Sequence, residues 1–230
     1  MRKTQDQRRR ETQDAVLSAA VQVLIEAGYS QFSAAHVASR AGVSRGALER
    51  YFPTKNDLLL AVTQYVMDRA VSDTKLLAAK GPKQSDPVNR FLLDSEHFFF
   101  SPVYRGMIEL AIAASADSDL TAAHDAIVLR ARKELDRIWL DTLMAPDFPQ
   151  ENVELFIHLT HYFLRGVFLA STWLPYTPNR RALIEAWSAL APAVFRLKQS
   201  SAALSLSKKR HPRKGKQTRS RSGPHRYKKA

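Results

Sequence analysis

The 230-residue chain contains no cysteine. That absence excludes disulfide staples and thiolate catalysis, and it fits a reducing compartment. Its eight glycines are scattered singly, so no glycine-rich phosphate loop is present. Alternating apolar and polar runs of strand length are also missing, whereas helical periodicity extends almost throughout, which makes the fold class all-α. No apolar stretch follows the charged start Met1-Arg2-Lys3-Thr4-Gln5-Asp6-Gln7-Arg8, so a secretory signal is not expected and a cytoplasmic location is. The most apolar segment, 151–173, is interrupted at central depth by His158, His161 and Arg165, and a membrane is therefore not an expected partner. His158 and His161 share a face at i, i+3, but no cysteine or carboxylate is placed to complete a ligand set; neither metal nor cofactor is expected. With no recognisable catalytic constellation, enzymatic activity is not expected either.

Charge is present in excess and unevenly spread. The net charge is +13, and residues 196–230 hold thirteen Lys and Arg with no acid, which equals the whole surplus. Residues 1–13 are mildly basic through Arg2, Lys3, Arg8, Arg9 and Arg10 against Asp6 and Glu11, leaving the central body slightly acidic. From about Gln199 the chain is rich in Ser, Gly, Pro and charge and poor in large apolar groups, so a disordered basic tail is expected over 199–230. Such a tail either grips nucleic acid through phosphate neutralisation or serves as a solvated extension. The remainder is long enough for one large or two small domains with a real core.

The most informative stretch runs from residue 33 to 59. Ser33 precedes the small apolar run Ala34, Ala35, Val37, Ala38 and can cap a helix that ends near Arg40. Gly42 supplies turn freedom, Val43 points back to the core, and Ser44 can cap a second, two-turn helix. Leu48 and Phe52, four apart, share its buried face, so Arg45, Gly46, Glu49 and Arg50 face outward. Pro53 stops that helix, and Thr54 with Asp57 can start another at Lys55, where an anion would be welcome. Helix, turn and helix in this arrangement let one helix enter the major groove of double-stranded DNA.

These residues, with the helix at 15–27, Gly28-Tyr29, Ala41-Gly42-Val43-Ser44, Gly46-Ala47-Leu48, Phe52, Lys55 and Leu58-Leu59, resemble the DNA-binding domain of the tetracycline-repressor (TetR) family over roughly the first quarter of the chain. The resemblance implies that Ser33, Ala47, Tyr51 and Lys55 approach bases or phosphates. Two positions depart from the family pattern: Glu49 stands where a tyrosine often touches the DNA backbone, and Phe32 where a threonine often precedes the first cap. Glu49 can accept from cytosine while Arg45 or Arg50 donates to guanine, each good pair giving ~1–3 kcal/mol of discrimination; alternatively it pairs with Arg45 at i, i+4. The DNA-binding set expected is thus Ser33, Ser44, Arg45, Gly46, Ala47, Glu49, Arg50, Tyr51 and Lys55.

Beyond Lys55 the periodicity predicts six more helices, at about 55–79, 86–99, 102–116, 118–145, 151–173 and 179–197, with Gly81-Pro82, Pro146 and Pro149 as breaks. The expected organisation is a basic arm (1–10), a three-helix reader (11–54), a larger helical domain (55–198) and the tail. Segment 151–173 is apolar nearly all round, so one face is expected on its own domain and the other on a second copy. With the helix at 179–197 it would build a four-helix homodimer interface through Phe156, Phe163, Val167, Phe168, Trp187, Leu190 and Val194. A dimer with two readers implies a palindromic operator. The family resemblance further implies a cavity for a small-molecule effector, for which Phe98, Phe100, Trp139, Tyr162 and Trp173 are candidate walls and His97, His124 and His158 polar handles. Two functions remain open: an effector-released repressor, or a nucleoid-associated architectural protein that relies on its tail.

Overall fold

Helix boundaries are set by short polar caps that can be traced one by one. In the computed structural model, which describes residues 4–80, 86–175 and 179–197, Thr4 Oγ1 accepts from Gln7 N at 3.2 Å while Gln7 Oε1 accepts from Thr4 N at 2.9 Å. This reciprocal box opens α1 (Gln5–Ala27) ten residues before the start expected, so residues 5–10 are helix rather than an arm. The cue was Thr4-x-x-Gln7. Gly28 ends α1 with φ 72, and a single 3-10 turn, Tyr29–Gln31, leads to α2 (Ala34–Ala41). Ser33 caps α2, Gly42 closes it in the left-handed conformation (φ 69), and Ser44 caps α3 (Arg45–Tyr51). Thr54 and Asp57 exchange hydrogen bonds at the start of α4 (Lys55–Lys80).

Asp86, Ser101, Asp117 and Asn179 cap α5 (Pro87–Phe99), α6 (Pro102–Ala114), α7 (Ser118–Leu143) and α9 (Arg180–Phe195), and α8 (Gln150–Trp173) follows Pro149. Proline at the first position of α5 and α6 costs nothing, because those amides have no partner within the helix. Among the described residues there are nine α-helices and no strand, as the periodicity requires. The basic tail, the Gly81-Pro82 stop and residues 1–3 lie outside them.

Two apolar clusters hold these helices together. The first joins Val16 and Val23 of α1, Val37 of α2, Leu48 of α3 and Leu58 and Val62 of α4 to Met107 and Leu110 of α6 and Ala131 of α7. The reader and the larger body therefore share one continuous core. The second gathers Phe91 of α5, Trp139 of α7, Phe156 and Ile157 of α8, and Ala191 and Phe195 of α9. Contact between α4 and α7, two helices of seven turns each, is the most extensive in the fold. Two close approaches tie α6 to α1 and to the turn after it: a Cβ on Gly106 would lie 3.2 Å from Leu24 Cβ, and Glu109 Oε2 accepts from Tyr29 N at 2.7 Å.

Candidate nucleic-acid interface and cavity

The α3 helix is anchored from below and open above. Leu48 is fully buried and Phe52 nearly so, while Ser44, Arg45, Gly46 and Arg50 are exposed and Ala47, Glu49 and Tyr51 half-buried. Four residues of spacing put both anchors on one face, so the opposite face must point outward. A Cβ on Gly46 would meet nothing within 4 Å, which leaves the backbone open to a close-fitting surface. Arg45 Nε donates to Glu49 Oε1 at 2.6 Å, so the intrahelical alternative for Glu49 is the one formed in the free protein. Arg50 makes no ion pair among the described residues and keeps its donors free.

Neighbouring cations flank this face. Arg9 of α1 lies over the Tyr51 ring at 5.9 Å, and Arg8 and Arg10 are exposed beside it. Ser33 is exposed, its Oγ accepting from His36 N at 3.2 Å. Lys55, at the first position of α4, places its Nζ 4.3 Å from the Tyr29 centroid and 6.0 Å from that of Phe32. Attraction to the ring face steers this ammonium while leaving it exposed. Phe32 itself is buried in the first cluster, which explains an aromatic residue there as core.

A cavity of about 520 Å³ opens between the two clusters, with walls from α1, α4, α5, α6, α7 and α8. Of the residues expected to line it, Phe98, Trp139, His97 and His124 do, and Phe100, Tyr162, Trp173 and His158 do not. Phe100 lies beneath Arg180, whose Cζ is 4.4 Å from its centroid, and Tyr162 and Trp173 are 62% and 73% exposed because they sit on the outer side of α8. Periodicity missed the polar wall: Tyr104, Arg132, Asp136, His161 and Arg165, and Ser18 and Gln22 from α1. Only the packing of separate helices brings these together. Burial, reinforced by Arg132 and Arg165, pushes the His161 imidazole down to about 3, so it is neutral. Burial pushes the Asp94 carboxyl up, even though its Oδ2 accepts from Thr74 Oγ1 and Trp139 Nε1, both at 2.9 Å. Asp136 does stand beside both histidines of the i, i+3 pair, with His158 Nε2 at 3.5 Å and His161 Nδ1 at 3.6 Å. No metal-holding group of three or more such residues occurs among the described residues.

The expected dimer residues divide between inside and outside. Phe156 and Phe168 are buried within the protomer, so they are core rather than available surface. Trp187 stacks on Phe156 (5.8 Å) and Phe163 (5.2 Å) and donates from Nε1 to Thr160 Oγ1 at 2.8 Å, which holds α9 against α8. Phe163, Val167 and Val194 are half-buried and Leu190 exposed. The outward stripe of α8 is instead Leu159, Tyr162, Leu169 and Trp173, at spacings of three, seven and four. No described helix is long and apolar enough to cross a membrane.

Comparison with known proteins matches residues 16–62 to the model for bacterial regulatory proteins of the tetR family. The chain is 33% identical over 172 residues, 75% of its length and 85% of the relative's, to the HTH-type transcriptional regulator CymR of Pseudomonas putida. It is 28% identical over 193 residues, 84% of its length and 99% of the relative's, to the uncharacterized HTH-type transcriptional regulator Rv2912c of Mycobacterium tuberculosis. Among solved structures, a putative transcriptional regulator from Saccharomonospora viridis in complex with choline superimposes with a TM-score of 0.61 at 15% identity, over 80% of this chain and 96% of that one. The multidrug binding protein EbrR complexed with ethidium gives 0.57 at 16% identity, over 81% and 99%.

Proposed function

From the premise that this chain belongs to the tetR family of bacterial regulatory proteins, and so is a DNA-binding transcriptional regulator, we propose that it is a homodimeric repressor, released from a palindromic operator when a small molecule fills the cavity. The observation that carries the reading is the seven-residue α3, seated on Leu48 and Phe52 with Arg45, Gly46 and Arg50 outward. In this reading Arg50 donates to a guanine edge in the major groove. Ser33, Ser44, Ala47, Tyr51 and Lys55 position the reader on the backbone, assisted by Arg9. Glu49 spends its carboxylate on Arg45 and shapes the probe rather than touching phosphate.

Dimerisation is assigned to the outward stripe of α8 with Leu190 of α9, an apolar face that two copies related by a two-fold axis would cover. Repression follows from occlusion of a promoter by the bound dimer. Release is assigned to α6, which lines the cavity through Tyr104, Met107 and Ile108 and touches α1 and the adjoining turn through Gly106 and Glu109. An effector needs to favour the DNA-incompetent form by only ~1–3 kcal/mol for ordinary coupling. Selection of bound fragments from genomic DNA tests the whole reading. A few palindromic sites are expected; diffuse coverage would favour architectural binding and refute it. Arg50→Ala should weaken the selected site far more than random duplex, and equal losses would restrict Arg50 to phosphate.

A further inference from the structure

Three arginines and three aspartates line the cavity, but they are not paired one to one. Arg165 of α8 borders it with its Cζ 5.3 Å from the Phe99 centroid and 5.9 Å from that of Tyr162. It pairs with no carboxylate among the described residues. Arg132 of α7 ion-pairs with Asp136 at 3.5 Å and lies 5.9 Å from the Tyr162 centroid. Of the three aspartates on the wall, only Asp136 forms an ion pair with either guanidinium among the described residues, while Asp94 is engaged by Thr74 and Trp139 and the third arginine, Arg69, is held by the Tyr65 hydroxyl. A half-buried cation against aromatic rings gains from its own counter-ion.

We propose that the effector is a small hydrophobic carboxylic acid, its carboxylate held by Arg165 and Arg132 and its apolar body filling the space walled by Val66, Phe98, Val103 and Met107. This rests on the reading of the cavity as the effector site. A half-buried guanidinium with no ion-pair partner suits a monoanion, and its flat fork matches the two oxygens of a carboxylate. The remaining wall is mainly apolar, and the volume falls within the range of about 300–1,000 Å³ typical of small-molecule sites. On the α7 wall of the cavity, buried His124 leaves Nε2 without a hydrogen-bond partner while its Nδ1 faces Asp125 Oδ1 at 3.3 Å. A donor on the far end of the acid would satisfy it, so hydroxylated acids should bind more tightly than their parents.

The test titrates the full chain by calorimetry with benzoate, 3-phenylpropionate and octanoate, each beside its primary amide. At least one acid should bind tenfold or more tightly than its amide, Arg165→Gln should erase that preference, and Arg165→Lys should restore part of it. The comparison of acid with amide uses the unaltered protein and stands even if a variant misfolds. Equal binding of acid and amide, or binding by amides alone, overturns the carboxylate assignment while leaving the cavity as effector site. No binding by any of the six overturns the assignment outright. An acid that binds through Arg165 yet leaves operator occupancy unchanged upholds the carboxylate site and overturns release by it.

Discussion

Replacing Glu109 by alanine would cut the strut between α6 and the turn that feeds the reader. Its Oε2 accepts from Tyr29 N at 2.7 Å across 80 positions of sequence, and the carboxylate also abuts Gly28, where a Cβ would come within 3.1 Å of the same oxygen. A hydrogen bond to a charged acceptor contributes about 1.5–3 kcal/mol, and stranding the amide costs a similar amount, so a loss of about 2 kcal/mol is expected. For a chain of this size each kcal/mol lowers the midpoint by about 2–4 °C, which gives a drop of roughly 4–8 °C in thermal unfolding followed by circular dichroism. Glu109→Gln retains an acceptor without the charge and should recover about half of that. Gly28→Ala should behave like Glu109→Ala, since it forces a side chain into φ 72 and crowds the strut as well. A Glu109→Ala protein unfolding within ~0.5 kcal/mol of the parent would mean that the amide finds water as readily as the carboxylate, and the strut would carry no stability.

Leu48→Ala removes a fully buried side chain beneath α3; a loss of about 2–5 kcal/mol in denaturant unfolding and of operator binding is expected, and retention of both would mean that α3 is not seated on this residue. Asn152, buried at the start of α8, donates from Nδ2 to the carbonyls of Phe195 and Leu197 at 3.0 Å each, so Asn152→Ala should cost about 1–3 kcal/mol and speed amide exchange selectively in the last turn of α9. His161 takes a proton in the unfolded chain below pH 6.5 but in the fold only at about 3, so stability should fall as pH drops through that window. His161→Gln should flatten this acid limb; an unchanged slope would place the titration elsewhere.

Much of this architecture is readable in one dimension because its cues are local. Ser33, Gly42, Ser44 and Thr54-x-x-Asp57 each act within four residues of themselves, and the reader was therefore legible almost atom by atom. Thr4-x-x-Gln7 is a cue of the same kind, set within a run of charged residues. Faces are harder. The α8 helix has two apolar stripes, and periodicity is indifferent to which one a protomer keeps: Phe156 and Phe168 went inside, Leu159 and Trp173 outside. The cavity is harder still, since Arg132, Tyr104 and Arg165 come from three helices and acquire a common purpose only after packing. Aromatic character alone does not separate Phe98 and Trp139, which line the cavity, from Phe100, Tyr162 and Trp173, which do not.

That Leu48, Leu58, Met107 and Ala131 belong to a single apolar mass limits how such a regulator can be rebuilt. A cassette cut before Lys55 would strip α1 to α3 of the surfaces against which they are folded, so chimaeras made at that seam should emerge as insoluble halves. Retargeting to new promoters is better confined to the outward positions 46 and 50, since Arg45 is tied to Glu49.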